Sequence, residues 1–344
     1  MKIWLPAIRG GSGTDVFTRR LSEALRRRGI EAEITWFPSS FQLAPGLLRL
    51  VPSPAGTTAI HTNSWNGFAF ARKGIPLVVT EHLNVFDPSF RPYKSLAQRI
   101  YHESFIRRFV KASFTRASII TAVSYSTARN LTKIWPGCPV QAIHNWIDTR
   151  TFVPTDRESK RDRPFRLLFV GNLSRRKGAD LLAPIMRELG PQFELHFTAG
   201  LRQTKTIPME RNMFPLGRIT DEGTLVRAYQ RCDAVLVPSR FEGFGLSALE
   251  GMACGKPVIA SRSSSLLEVM DDGVTGILCP LDNVSAFAAA CRKLAEERDL
   301  RYQYGRAARH RAEKLFSEDL IVPQYVTLYE RVTKRYRGDN ESDG

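Results

Sequence analysis

Ala234-Val-Leu-Val-Pro238-Ser-Arg-Phe-Glu242-Gly-Phe-Gly245-Leu-Ser-Ala-Leu-Glu250-Gly-Met-Ala-Cys254-Gly-Lys-Pro257-Val-Ile-Ala260 holds the reading on which the fold turns. The apolar run Ala234 to Val237 predicts a strand. The loop after it carries Glu242 and two glycines, and a helix is predicted from about Gly245 to Cys254. Gly255 supplies the stop and Pro257 opens the next strand. Strand, loop, helix and strand in that order is the repeat of a parallel α/β sheet.

The same alternation extends outward in both directions. Upstream strands are predicted at Lys2 to Leu5, Ile34 to Phe37, Thr58 to His61, Pro76 to Thr80, Ser118 to Val123 and Val140 to Ile143. The first is followed by the loop Gly10 to Gly13 and a helix to about Arg28, with Phe17, Leu21, Ala24 and Leu25 at helical spacing. After a polar stretch bracketed by Pro154 and Pro164 the pattern restarts, with strands at Phe165 to Val170, Phe193 to Thr198, Ala234 to Val237, Pro257 to Ala260 and Gly276 to Cys279. The expected organisation is an N-terminal doubly wound domain over residues 1–155, a linker over 156–164 and a second such domain over 165–317. A helix over 318–338 would return toward the first domain. A chain of 344 residues suits two domains of ordinary size.

Composition removes several classes. With 43% apolar and 24% charged residues the chain is neither disordered nor membrane-spanning, and no apolar run approaches the ~20 residues a spanning helix needs. No export signal is visible at the start. The five cysteines form no C-x-x-C pair and read as buried thiols of a reducing cytosol. The expected location is therefore cytoplasmic. The net charge is +16, and residues 1–160 carry 22 basic against 10 acidic side chains, a net +12. Such a field attracts nucleic acid, an anionic lipid surface or phosphorylated substrates. No nucleic-acid reading module accompanies it. The stretch Arg91 to Arg116 holds seven Lys or Arg against Glu103 alone, interleaved with Tyr93, Leu96, Ile100, Phe105, Ile106, Phe109 and Val110. It reads either as an ordinary surface helix with snorkelling arginines or as a membrane-surface helix.

The chemistry concentrates in the opening segment. Gly243 and Gly245 let backbone approach a ligand at a helix start, where free N–H groups and the helix dipole favour an anion such as a diphosphate. Glu242 precedes that point, and Glu250 lies five residues beyond Gly245, about 7.5 Å along the helix. A nucleotide sugar would reconcile two carboxylates with one anion: hexose hydroxyls at Glu242, diphosphate at the amides, ribose hydroxyls at Glu250. On spacing alone, a solvated loop acid and a helix-surface acid account for the pair better than a ligand does.

Glu242-x7-Glu250 with the intervening Gly-Phe-Gly, followed by Ala253-Cys-Gly-x-Pro257, resembles the family-4 retaining glycosyltransferases of GT-B fold. Arg231 to Ser239, Glu268 with Asp272-Gly-Val-Thr-Gly276, and Val170-Gly-Asn-Leu-Ser-Arg-Arg-Lys-Gly178 extend the likeness over nearly the whole chain. Gly10-Gly11 and Asn145-x-x-Asp148 do so in the first half. The resemblance implies two Rossmann-like domains facing across a cleft. It also implies transfer of a hexose-type sugar, with retention, from a donor such as UDP- or GDP-hexose to a glycan or lipid-linked acceptor. Bacterial lipopolysaccharide, O-antigen or exopolysaccharide synthesis is the expected setting; on the membrane-surface reading of Arg91 to Arg116, that stretch would attach the chain peripherally to the inner face of the membrane. Catalytic roles fall on Glu242, His82 and Lys177. Donor contacts fall on Gly10, Gly11, Arg176, Lys177, Gly217, Arg218, Ile219, Glu242, Gly243, Phe244, Gly245, Leu246 and Glu250. The family commonly has arginine at the position of Asn172 and glycine at that of Leu83; Arg176 is the expected substitute cation. No D-x-D occurs, so no metal or other cofactor is expected. His61 reads either as an acceptor contact or as a buried, satisfied imidazole. The competing readings are another GT-B enzyme, an epimerase or phosphorylase, and a nucleic-acid-binding protein.

Overall fold

The computed structural model describes residues 1–155, 163–200 and 207–341. The expected linker over 156–164 lies mostly outside them. The chain divides into two units, one of residues 1–145 with 319–344 and one of residues 146–318.

The first unit is a six-stranded sheet of β1 (Lys2–Ile8), β2 (Glu31–Phe37), β3 (Ala59–Asn63), β4 (Leu77–Glu81), β5 (Ile119–Ala122) and β6 (Val140–Ala142), in the order β2-β1-β3-β4-β5-β6. Every pairing is parallel. β1 runs three residues past the sequence expectation because Pro6 keeps its place in register opposite Thr35. The second unit repeats the plan with β7 (Phe165–Phe169), β8 (Phe193–Phe197), β9 (Met213–Pro215), β10 (Ala234–Val237), β11 (Val258–Ser261) and β12 (Gly276–Cys279), ordered β12-β11-β10-β7-β8-β9 and again all parallel. β10 and β11 are buried along their whole length, as parallel strands covered by helices on both faces must be. The edge strand β9 is three residues long and was not expected; Phe214 and Pro215 are exposed, so no apolar run marks it.

The division falls at Asn145, ten residues before the expected boundary. Ile147 bridges to Ser317 and its N–H donates to the Phe316 carbonyl. The Arg309 guanidinium donates to the carbonyls of Thr149, Phe152 and Ala253. These bonds tie residues 147–152 to the second unit, although their composition gives no sign of it.

Order of strands decides where each sheet can hold a ligand. In an open parallel sheet the crevice opens where the sequence order reverses, outside the carboxyl ends of the strands. In the second unit the reversal is between β7 and β10. The loops after those two strands are 170–178 and 238–245, the stretches that carry the resemblance. In the first unit it is between β1 and β3, beside Gly10-Gly11.

Candidate functional site

In the second unit the loop after β7 closes as a short 3-10 turn, Arg175–Lys177, capped by the Ser174 hydroxyl, which accepts from the Lys177 N–H. Gly178 ends it at φ 71°, and a Cβ there would lie 2.1 Å from the Pro238 carbonyl oxygen. Only glycine lets the two loops touch. Beside it the Arg240 N–H donates to the Arg176 carbonyl at 2.8 Å. The buried Arg240 guanidinium grips the Asp180 carboxylate at 2.6 and 2.9 Å, the Asp282 carboxylate at 2.5 Å and the Arg175 carbonyl.

That framework brings Glu242, Lys177 and Arg176 together. Lys177 Nζ lies 2.5 Å from Glu242 Oε1, and Arg176 Nη1 lies 3.2 Å from Glu242 Oε2 and 2.7 Å from the Phe241 carbonyl. Burial by itself would raise the Glu242 pKa, but the two cations outweigh it and hold the carboxyl down at about 2. Burial lowers the pKa of the Lys177 ammonium, opposed by Glu242. Arg176, the expected substitute cation, thus lies on the Glu242 carboxylate beside Lys177.

Three serines after β11 fix the backbone of the Glu242 loop, two of them at Glu242 itself. Ser264, at φ 42°, accepts from the Glu242 N–H at 2.9 Å. Ser265 donates to the Glu242 carbonyl at 3.1 Å and Ser263 to the Ser239 carbonyl at 3.0 Å. Gly245, at φ 107°, then starts the helix Leu246–Ala253. The first N–H groups of a helix have no partner within it, so this start presents donors beside two cations. Glu250 is buried on the same helix, with the Tyr229 hydroxyl 2.9 Å from its Oε2 and 3.1 Å from the Ser247 carbonyl. Burial raises the Tyr229 pKa far above its usual range, with Glu250 adding to the effect, so the hydroxyl keeps its proton. Glu250 is therefore no helix-surface acid.

Gly217, Arg218 and Ile219 follow β9, two strands from β7. The Ala199 N–H donates to the Gly217 carbonyl at 2.8 Å, and Gly200 is close-packed on Asn172. A run of adjacent loop ends therefore leads from 217–219 toward the Glu242 cluster, although no hydrogen bond joins these three residues to it among the described ones.

In the first unit the N–H groups of Gly10 and Gly11 both donate to the Asp15 carboxylate, at 2.9 to 3.1 Å. These amides already hold an anion, one from their own chain. The His82 ring lies edge-on to Phe17 at 4.6 Å, and burial draws its pKa to about 3, so it is neutral at pH 7. Beside it, burial raises the Glu81 pKa to about 7 while the Leu83 N–H holds its carboxylate at 3.1 Å. His61 is a buried, satisfied imidazole: Nδ1 is 2.5 Å from the Tyr329 hydroxyl and Nε2 is 2.6 Å from Thr80 Oγ1.

Sequence reasoning missed Arg240, Tyr229, Asp15 and the serines 263–265. Nothing in the sequence sets Arg240 apart from other loop residues, or Tyr229 from other helix positions. Only the small, consecutive serines beside a strand end could have pointed to backbone clamping.

Residues 154–311 match the model of the glycosyl transferases group 1, and residues 36–151 match that of glycosyltransferase family 4. N-acetyl-alpha-D-glucosaminyl L-malate synthase of Bacillus anthracis is 26% identical over 65% of this chain, which spans only 62% of that protein. D-inositol 3-phosphate glycosyltransferase of Saccharomonospora viridis is 25% identical over 97% of this chain and 92% of its own length. Among solved structures, sucrose-phosphate synthase from Thermosynechococcus elongatus superposes with a TM-score of 0.81 at 21% identity, covering 97% of this chain and 99% of that one. Anabaena Alr3699/HepE in complex with UDP-glucose does so at 0.76 and 18% identity, covering 96% and 100%. Two adjoining family matches, two parallel sheets with a loop pair at the second one's switch point, and relatives along nearly its full length agree: the chain belongs to the family-4 glycosyltransferases of GT-B fold.

Proposed function

We propose that the enzyme moves a hexose-type sugar from a nucleoside-diphosphate sugar to an acceptor hydroxyl with retention at the anomeric carbon. The observation that carries the transfer from such a donor is the Glu242 carboxylate held between Lys177 and Arg176 at a glycine-bounded helix start; retention is what the family resemblance implies. A diphosphate needs cations and N–H donors, and a sugar beside it needs an acceptor of hydroxyl hydrogens. The cluster supplies each. Lys177, Arg176 and the amides from Gly243 to Leu246 would stabilise the departing diphosphate, the charge that grows in the transition state. That is work a divalent cation does elsewhere, and the reading is metal-independent. Glu242 would orient the hexose and Glu250, steadied by Tyr229, the ribose. The resemblance adds His82, a neutral imidazole that can serve as either a donor or an acceptor. The HepE structure carries UDP-glucose, which supports a nucleotide sugar as donor.

The acceptor proposal rests on charge. Residues 1–160 are net +12, and the names of the two relatives denote transfer to L-malate and to inositol 3-phosphate, both anionic. An anionic glycan or a lipid-linked acceptor at the inner face of the cytoplasmic membrane, in lipopolysaccharide, O-antigen or exopolysaccharide synthesis, fits that field. No helix among the described residues is long and apolar enough to cross a membrane, so attachment would be peripheral.

Thermal unfolding screened against UDP, GDP, ADP and dTDP tests the donor reading. One nucleotide should raise Tm, since a ligand at a hundred times its Kd adds about 2.7 kcal/mol to the native state. Lys177→Met should abolish that rise. If none of the four shifts Tm, the donor site is misassigned. Product analysis with and without acceptor then separates transfer from epimerisation or phosphorolysis.

A further inference from the structure

The five most exposed large apolar side chains among the described residues are Leu50 (87%), Leu43 (78%), Leu96 (67%), Leu47 (61%) and Ile100 (57%), and all lie in two short stretches of the first unit. Local geometry puts them on common faces. In the 3-10 turn Pro45–Leu50, residues three apart eclipse, so Leu47 and Leu50 point together while Pro45 and Leu48 face inward. In the helix Leu96–Tyr101, Leu96 and Ile100 are four apart and stack on one side. No residue of this helix is buried, so its apolar face has no core to serve. Ser95 and Gln98 cap it in both directions, which orders it without tertiary cover.

The two stretches are neighbours. The Tyr101 hydroxyl donates to the Gln42 carbonyl at 3.0 Å, one residue from Leu43. The Arg49 guanidinium lies over the Phe68 ring, which stacks on Phe109 of the helix Arg107–Arg116. Around them the charge has one sign. Arg49, Arg91, Arg99, Arg108 and Lys111 are exposed, residues 38–52 contain no acid, and Glu103, the sole acid of 91–116, is paired with Arg107 at 2.7 Å.

We propose that this face docks the first unit onto an anionic bilayer, with Leu43, Leu47, Leu50, Leu96 and Ile100 entering the acyl boundary and the basic side chains at the headgroups. Leucine and isoleucine tips inside a rim of Lys and Arg match the composition of interfacial segments. A protein interface would instead favour aromatic residues and methionine at its centre. Of the two readings of Arg91 to Arg116, the snorkelling surface helix leaves Leu96 and Ile100 unexplained. It also takes no account of the leucines at 43–50, which lie outside that stretch.

This deepens the proposal of a membrane-borne acceptor, and its test is independent of it. Sedimentation with phosphatidylcholine vesicles, with and without phosphatidylglycerol, compares the wild-type chain with L43S/L47S/L50S. A second pair is L96S/I100S, and L315S/L320S is the control. Wild type should partition about tenfold more onto the anionic vesicles, less so at high salt, and each leucine variant should lose about tenfold. The control should match wild type. Equal partition onto both vesicle types, or undiminished partition of both variants, overturns the proposal. So does lipid-free self-association of wild type that the variants abolish, because the face would then pair two copies. Stabilisation by nucleotide, read on the same variants, should not change; its loss would implicate the donor reading rather than this one.

Discussion

Glu242→Gln should lower sugar-transfer turnover by about two to three orders of magnitude, the scale on which removing one preorganised electrostatic group acts, while nucleoside-diphosphate binding survives. The two effects separate because the carboxylate and the diphosphate share the same cations. In the described state Lys177 and Arg176 are paired with Glu242. The amide cannot accept their charge, so the variant leaves both cations half-buried without a counter-ion. Breaking a fully buried pair costs about 3–5 kcal/mol; these cations keep some solvent, so about 2 kcal/mol is the expected loss. A diphosphate would restore the missing negative charge. UDP or its counterpart should therefore stabilise Glu242→Gln at least as strongly as wild type, whereas Lys177→Met should gain nothing from it. Steady-state kinetics and thermal shifts on the two variants check this. Turnover of Glu242→Gln close to wild type would remove the carboxylate from the reacting centre.

The same ion pair sets a pH dependence. The folded Glu242 carboxyl titrates at about 2 against an ordinary 4.5. Below both values the two states hold the proton alike, and between them the unfolded chain binds it first. The stabilisation is complete above about pH 4.5 and is lost as pH falls toward 2. Glu81 acts in the opposite sense. Its folded value of about 7 lies above 4.5, so the native state is the one that holds the proton and stability declines as pH rises from about 4.5 to 7. Urea midpoints of wild type and Glu81→Gln across that range should converge at the acid end, with the glutamine variant less pH-sensitive toward neutrality.

What could be read from the amino acids divides along physical lines. β10 and the helix behind it were legible because apolar runs, glycines and Pro257 punctuate them within one stretch. The proximity of Glu242 to Lys177 followed from the resemblance alone, because 65 residues separate them and only the pairing of β7 with β10 brings their loops side by side. Asp15 on the Gly10 and Gly11 amides, and Tyr229 on Glu250, were illegible, since each depends on how one side chain turns within a packed interior. β9 was invisible for another reason: its hydrogen bonds to β8 define it, and its exposed residues carry no pattern. The unit boundary at Asn145 belongs with these, for it is set by a bridge from Ile147 to Ser317.

Gly178→Ala should destabilise the protein by about 2–5 kcal/mol and abolish stabilisation by nucleotide, although it adds one methyl group and changes no charge. Two costs combine. At φ 71° an L side chain sits in the left-handed region, a penalty of about 1–2 kcal/mol. The new Cβ would also stand 2.1 Å from the Pro238 carbonyl oxygen and 2.8 Å from its carbon, both backbone atoms that no rotamer change can clear. Forcing such a contact costs about 1–3 kcal/mol more. Relief requires the loop bearing Arg176 and Lys177 to move off the loop bearing Glu242, against the Arg240 N–H to Arg176 carbonyl bond and the Arg240–Asp180 grip. Gly29→Ala is the matched control: φ is 72° and no atom lies within 4 Å of its added Cβ, so only the conformational term of about 1–2 kcal/mol remains. Urea unfolding of the two variants isolates the collision, and nucleotide thermal shifts read its effect on the site. Equal midpoints, with nucleotide stabilisation intact in Gly178→Ala, would mean that the two loops can part without harm and that their contact does not build the site.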